Sequence, residues 1–296
     1  MTWIPVTLAA AVFQILRTSK QHQLRSLLSP SGAGYVRFLF ASPLAVVACA
    51  VTFAVAPRGV DVPGRFWLII LGGAVAQILG TVALLQAFRL RDFAIGTVYS
   101  KSEVIQVAIV SAVLLGEPLA AAGWVGVLLV VIGVALLASD GRLAESLRNI
   151  RDRAAIMGVL SGAGFACAAV GIRGASRSLE GATVWPRAMI TLAAMLLIQT
   201  AINGAWLWFR DRDQLTAIRE GWRTCLPVGV LSVAGTTGWT VAMTLTSAAK
   251  VRTLGQVEIV LAFVLGIVVH QERHSRVEYT ASAMVVAGIV AVIALG

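Results

Sequence analysis

Apolar residues run in ten blocks of roughly 20 along this 296-residue chain, separated by short polar breaks. Each block is long enough to cross a hydrocarbon core of about 30 Å. None shows the period-two alternation of a barrel strand, so the pattern predicts helices. The predicted spans are 3–24, 33–56, 66–88, 93–115, 119–139, 154–174, 184–209, 222–246, 249–270 and 276–295. Short connections make consecutive helices antiparallel neighbours. The exception is a polar linker, 140–153, which leaves five spans in 1–139 and five in 154–296. An odd number of spans per half sends the second half into the membrane from the opposite side. The expected fold is an all-α integral membrane protein with ten transmembrane helices in two five-helix inverted-topology repeats. Secondary transporters commonly use that plan, with the substrate site near the midplane.

The halves also repeat in residue identity. A register shift of 155 residues places Trp67 on Trp222, Gly80-Thr81 on Gly235-Thr236, Ala87 on Ala242 and Ala94 on Ala249. The same shift places Glu103 on Glu258, Glu117 on Glu272 and Gly133 on Gly288, with no gap between Trp67 and Gly133. Two acids, a tryptophan and a Gly-Thr pair in one register point to duplication.

Composition sharpens the class. Charged residues make up 13% of the chain, against about 25% in a soluble domain, and mean hydropathy is +0.86. The formal charge of +10 resides in arginines and lysines between the spans, where they meet anionic head groups, so nucleic-acid binding is not expected. Cys49, Cys167 and Cys225 are far apart and without CxxC spacing, which argues against a metal site or a disulfide framework. No basic region precedes the first apolar run, so no cleavable signal peptide is expected. Arginines concentrate in the odd-numbered loops (Arg25, Arg89, Arg210, Arg212, Arg219 and Arg276 among them), which by the positive-inside rule places both termini outside. Trp3, Trp67, Trp124, Trp185 and Trp222 fall at span starts, and Trp206 and Trp208 near a span end, as interfacial anchors do.

Glu103 and Glu258 are the sharpest candidates for chemistry. Each stands about 15 Å into its span by helical rise, close to the bilayer centre. A charge there costs about 2.5–3.5 kcal/mol on the lenient insertion scale, so it faces a cavity or a partner. Two readings stand side by side: a substrate or proton site, and a structural ion pair or interhelical hydrogen bond. Tyr99 and Gln106 share the face of Glu103, at i−4 and i+3. Lys101 points about 200° away, toward a neighbouring helix or the head groups. Gln256 occupies the Lys101 position in the second copy, so the halves are not chemically equivalent.

Tyr35-Val36-Arg37 resembles Trp185-Pro186-Arg187 in the second half. Both arginines either snorkel or line a cavity, pairing with the glutamates or gripping a carboxylate in two-pronged fashion. Gln14, Arg17 and Lys20 share one broad face of the first span, and Arg173 is the rough counterpart of Arg17. Trp239 sits mid-span as core packing or a cavity wall. Embedded cations (Arg17, Lys20, Arg37, Lys101, Arg173, Arg187) outnumber embedded acids, which favours an anionic or zwitterionic solute. Gln77, Thr81 and Gln86 line a path or act as interhelical glue. Gly158-x-x-x-Gly162 reads as close helix packing, and Glu117 and Glu272 as caps of the following helices. The segment from His270 to His274 is not HExxH, and no metal or cofactor is expected.

Gly116-Glu117-Pro118 after the fourth span, Gln271-Glu272-Arg273 in the copy, Gly133 and Gly288 in the closing spans, and Ala87-Phe88-Arg89 together resemble the drug/metabolite transporter superfamily, EamA type, over nearly the whole chain. The family often has a proline just inside the fourth and ninth spans, where this chain has Glu103-Val104 and Glu258-Ile259. The resemblance implies carriage of a small metabolite, often export of amino acids or related compounds, by alternating access across a bacterial-type inner membrane. It also implies cytoplasmic termini, opposite to the arginine count. The expected mechanism has Glu103 or Glu258 take up a proton while embedded cations hold a substrate carboxylate. The expected partners are a small-molecule substrate and membrane lipids, and a homodimer is left open. A lipid flippase or a non-transporting scaffold is the alternative. An embedded enzyme ranks below both, because no GxSxG, HExxH or in-span Asp pair is present.

Overall fold

The computed structural model describes residues 1–55, 59–90, 98–139, 152–270 and 275–296. Residues 93–97 at the start of the repeat, the linker over 140–151, and Glu272 and His274 lie outside the described residues. In chain order the helices are α1 (Trp3–Gln23), α2 (Pro30–Leu39), α3 (Ala41–Val55), α4 (Gly64–Leu90), α5 (Glu103–Leu115), α6 (Ala121–Ala138), α7 (Arg153–Ser178), α8 (Val184–Arg210), α9 (Arg212–Glu220), α10 (Trp222–Leu245), α11 (Ala248–Gly255), α12 (Val257–His270) and α13 (Arg276–Leu295). Among the described residues the other structure is a single 3₁₀ turn at Leu24–Ser26 and an isolated β-bridge between Asp61 and Glu180. Among the described residues, eight helical stretches, with Pro30–Val55 as one, are long and apolar enough to cross a membrane. The protein is a multi-pass, all-helical integral membrane protein.

Local chemistry explains where the helices depart from the expected spans. The second span begins at Pro30, not 33, because Ser29 caps it by accepting the Gly32 N–H at 3.2 Å. It then breaks at Phe40, between α2 and α3. Pro43 has no N–H to offer the Leu39 carbonyl four residues back, and the Ser42 hydroxyl donates to that carbonyl instead, at 3.3 Å. The loop expected between the seventh and eighth spans contains α9, which buries Ile218 among Leu24, Leu28, Tyr35, Leu207 and Cys225. After Glu117, α6 starts at Ala121 behind Ala120, whose own side chain makes no cap. Gly116, at φ +64°, ends α5 in the left-handed region that glycine tolerates. The described cap near Glu272 is a capping box at the start of α13, in which Ser275 and Glu278 satisfy each other's backbone N–H groups.

The chain divides into two compact units, each drawing on both halves of the sequence. The first is Met1–Ala74 with Gly171–Leu245. Here α10 lies along α1, and α8 packs on α2, α3 and α10. Added Cβ atoms at Gly238 and Gly229 would sit 2.8 Å from the Ala10 side chain and 2.2 Å from Phe40 Cβ, so both contacts need glycine. At one end of this unit the Ser29 N–H donates to Gln214 Oε1 at 2.7 Å, joining the connection before α2 to α9. At the other end Asp61 and Glu180 exchange backbone hydrogen bonds of 3.2 and 3.4 Å, and Arg65 reaches Glu180 at 3.0 Å.

The second unit is Val75–Val170 with Thr246–Gly296. Its tightest packing is between α6 and α13. An added Cβ at Gly126 would lie 2.7 Å from the Gly288 carbonyl, and one at Gly133 would lie 2.7 Å from the Ala281 carbonyl. The later part of α4 approaches α7 as closely: a Cβ on Gly164 would stand 2.5 Å from Gly80 Cα. Glycine lets these backbones meet where lipid supplies no hydrophobic drive for association.

Candidate functional site

Neither Glu103 nor Glu258 sits in an uninterrupted helix. Residues 98–104 are wound by i→i+3 bonds, from Lys101 N–H to the Val98 carbonyl, Ser102 to Tyr99 and Val104 to Lys101, each 3.2 Å. The second copy does the same at its matching position, with Gln256 N–H to Thr253 and Ile259 to Gln256, both 3.1 Å. Each glutamate therefore lies in the first turn of a new helical segment, Glu103 in α5 and Glu258 in α12. Unsatisfied N–H groups at such a terminus favour a negative side chain.

Both glutamates belong to the second unit, and each is paired with a cation from the other half of the sequence. The Arg252 guanidinium on α11 donates from Nε and from Nη2 to Glu103 Oε1. Lys101 Nζ, on the turn before α5, donates to Glu258 Oε1 at 3.1 Å. The pairs cross: first-half acid to second-half cation, then first-half cation to second-half acid. The Glu103 side chain is 5% exposed and that of Glu258 is 20% exposed, while their cations Arg252 and Lys101 are alike at 19% and 17%, so the two pairs differ at the carboxylate. Gly162 of α7 backs directly onto this turn, since an added Cβ would meet Ser102 Oγ at 2.9 Å and the Glu103 nitrogen at 3.0 Å.

Three further candidates surround the pairs. Tyr99 is buried in the turn, and its carbonyl accepts the Ser102 hydroxyl at 2.6 Å. Gln106 donates to Ser102 Oγ at 2.8 Å and to the Val159 carbonyl of α7 at 3.2 Å. Gln256 is 2% exposed and donates to the Arg252 carbonyl at 3.3 Å, while its Oε1 is buried without a hydrogen-bond partner. The second copy thus has a neutral amide where the first has Lys101, and Arg252, four residues earlier, supplies the cation for Glu103. Arg252 was not among the candidates: it lies just inside the ninth predicted span, where it reads as a loop cation. A basic residue within span limits was the available signal.

The remaining candidates lie in the first unit. Gln14 and Trp239 come together, with the indole N–H donating to Gln14 Oε1 at 3.1 Å across α1 and α10. Arg17 is half-buried one turn further along α1. Arg37 is half-buried with its guanidinium 4.6 Å from the Phe38 ring centre. Two residues before it, the Tyr35 hydroxyl meets α8 at Gly204, where an added Cβ would lie 2.7 Å away. Arg187 is at the other end of α8, two residues past Trp185, whose indole N–H donates to Thr52 Oγ1 at 3.1 Å. The two arginines are thus at opposite ends of the α2/α3–α8 pair, and a joint two-pronged grip on one carboxylate is not the arrangement. Arg173 donates to the Met243 and Thr244 carbonyls at 3.0 and 2.8 Å, closing the end of α10, so it is engaged by backbone. Lys20 is exposed. A groove of about 490 Å³ opens in the second unit along Gln86, Leu90, Arg153, Ile156 and Met157, and neither glutamate lines it.

Comparison with known proteins places this arrangement. The EamA-like transporter family matches residues 1–139 and 152–294. A curated relative from Sinorhizobium sp, described as an uncharacterized transporter in the cobO 3' region, is 32% identical over 98 residues, or 31% of this chain and 70% of the relative. A solved structure titled only "Crystal structure of protein" superposes with a TM-score of 0.71 over 99% of this chain and 97% of its own, at 16% identity. At that identity the likeness concerns the fold alone.

Proposed function

The chain belongs to the EamA-like transporter family, and from that premise we propose that it is a secondary transporter moving a small anionic or zwitterionic metabolite by alternating access. The solute is amino-acid-like or an organic acid, exported across a bacterial inner membrane with proton coupling. Family membership points to a membrane transporter rather than an enzyme. The crossed pairs Glu103–Arg252 and Lys101–Glu258 carry the finer reading. Carboxylates placed this deep in apolar helices call for a neighbouring cation or helix terminus, and each of these two has both. Protonation of one carboxylate frees a cation, and a solute carboxylate replaces the lost charge. A site that exchanges charge this way couples solute to proton without leaving a buried ion unpaired.

The ten-helix inverted repeat is part of the same proposal, and three observations support it. Two stretches of the chain match one family. The glycine contacts between α6 and α13 obey the 155-residue shift reciprocally: Gly126–Gly288 maps onto Ala281–Gly133, and Gly133–Val285 maps onto Gly288–Val130, and all four are close contacts. Reciprocity of that kind is what a two-fold axis between oppositely inserted halves produces. The matched residues Arg37 and Arg187 also stand at opposite ends of the first unit.

The test is transport in proteoliposomes, with uptake and counterflow of labelled amino acids and organic acids under an imposed pH gradient. The wild-type chain is expected to move at least one of these solutes with a pH-gradient dependence. A Glu103→Gln/Glu258→Gln double variant is expected to lose that dependence. Unchanged gradient-driven transport in the double variant would remove both glutamates from the mechanism.

A further inference from the structure

The two ion pairs are not equivalent, and we infer that Lys101–Glu258 is the pair that opens during the cycle, Glu258 receiving the proton and Lys101 the solute carboxylate, while Glu103–Arg252 stays closed and holds α11 to α5. The inference rests on the transporter reading above and assigns its steps to individual side chains.

Four observations separate the pairs. The Glu103 side chain is one-quarter as exposed as that of Glu258, at 5% against 20%. Arg252 grips Glu103 through two guanidinium nitrogens, whereas Lys101 meets Glu258 Oε1 through one ammonium at 3.1 Å. A guanidinium fork is pre-organised and loses little freedom per hydrogen bond, while a lysine is a point charge on a flexible stem, able to follow a different acceptor. Lys101 also rides on the i→i+3 turn before α5, not on a regular helix. Arg252, by contrast, is inside α11, and Gln256 Nε2 ties its carbonyl at 3.3 Å.

The repeat supplies the reason for the asymmetry. The counterpart of Lys101 is Gln256, which has no charge to release. A neutral amide at that position removes the exchangeable cation from Glu103, and Arg252 replaces it with a fixed one. One half of the duplicated pair has become structural, and the other has kept its mobile partner.

Charge balance follows directly. In the resting site the Lys101 ammonium neutralises the Glu258 carboxylate. One proton converts that carboxylate to a carboxylic acid, and the ammonium then pairs with one solute carboxylate. The summed charge of Lys101, Glu258, proton and solute carboxylate is zero in both states, so no bare ion is left in the helix core. One proton accompanies one solute carboxylate in the same direction, so a gradient acid on the outside drives uptake, and export runs on the solute's own outward gradient. The charged groups on elements around Glu258 are Lys101 on the turn, Glu103 on α5, Lys250 and Arg252 on α11, and Arg276 and Glu278 in the first turn of α13, beyond which α13 carries no charge.

Infrared difference spectra of the full chain in lipid nanodiscs, recorded as pH is lowered with no solute present, test this without a transport assay. A component of the protonated-carboxyl C=O band distinct from that of the exposed acids is expected in the wild type, retained in Glu103→Gln and missing in Glu258→Gln. A band lost in Glu103→Gln but kept in Glu258→Gln, or unaltered in both, would overturn the assignment. Thermal unfolding of the same samples gives a second readout. Glu258→Gln, a mimic of the protonated state, is expected to melt close to the wild type at low pH, and Glu103→Gln several degrees lower. Equal losses in the two would make both pairs structural and also overturn it. Glu103→Met/Arg252→Met removes both charges together and keeps the spectral comparison available if Glu103→Gln does not fold. Because neither readout involves solute movement, a failure here leaves the transporter reading standing, and a failure of the proteoliposome test leaves these spectra interpretable.

Discussion

The Arg173 guanidinium donates to the Met243 and Thr244 carbonyls at the end of α10. Those carbonyls have no intrahelical donor, and a buried acceptor left bare costs about 1–3 kcal/mol. Arg173→Met should therefore destabilise the protein by about 2 kcal/mol in thermal or denaturant unfolding. It should leave the protonated-carboxyl band intact, since Arg173 lies in the other unit from the glutamates. A variant that melted like the wild type would show that water takes over the arginine's role. The divergence of Lys101 from Glu103 was legible, because helix geometry alone puts them about 200° apart. That Lys101 meets Glu258, 157 residues later, was not, since an ion pair depends on which helices become neighbours. Arg252 was missed for the same reason, compounded by its place at a span edge. Glu103 and Glu258 stood out because a charge deep in an apolar run demands an explanation whatever the fold.

At the scale of elements, hydropathy located the spans because each must cover the same thickness of hydrocarbon. Their interruptions escaped it, since Phe40, Ser102 and Gln256 differ little in hydropathy from ordinary helix punctuation. Pro43 was the visible cause of the first break. The breaks before Glu103 and Glu258 have no proline and rest on i→i+3 bonding. Helix α9 was concealed by its shortness and its polar face. Helix contacts make a sharper prediction, because one substitution should act with opposite signs at two glycines. Gly72 lies on an open face of α4 with nothing within 4 Å of an added Cβ, so Gly72→Ala should stabilise by about 0.5–1 kcal/mol through helix propensity. Gly126 meets the Gly288 carbonyl at 2.7 Å and the Val292 side chain at 2.8 Å from that added Cβ. Gly126→Ala should therefore cost about 1–3 kcal/mol as α6 and α13 are pushed apart. Melting temperatures of both variants in one detergent or nanodisc decide the matter. The contrast fails if Gly126→Ala melts at or above the wild type.

The whole molecule raises a question of sidedness that neither residues nor single helices answer. Sequence halves and compact units divide this chain differently: the sequence repeats at 155 residues, while each unit takes pieces from both copies. In the first unit, Ser29 and Gln214 mark one end, and Asp61 and Glu180 the other. Within this unit the connections bearing Arg25, Arg210, Arg212 and Arg219 lie toward Ser29 and Gln214, and those bearing Arg65 and Arg177 toward Asp61 and Glu180. An inverted repeat sends these two ends to opposite sides of a bilayer. The positive-inside rule assigns the first end to the cytoplasm. Leu27 and Thr183, each just ahead of an equivalent second span and both exposed, report on the two ends. With Cys49, Cys167 and Cys225 replaced by serine, Thr183→Cys should react with a membrane-impermeant maleimide in intact cells. Leu27→Cys should react only after the membrane is opened. Labelling of both from the same side would refute inverted insertion itself. A clean exchange of the two results would keep the inverted repeat and reverse its orientation, because inversion follows from the odd number of spans per half and orientation only from how loop arginines meet the membrane.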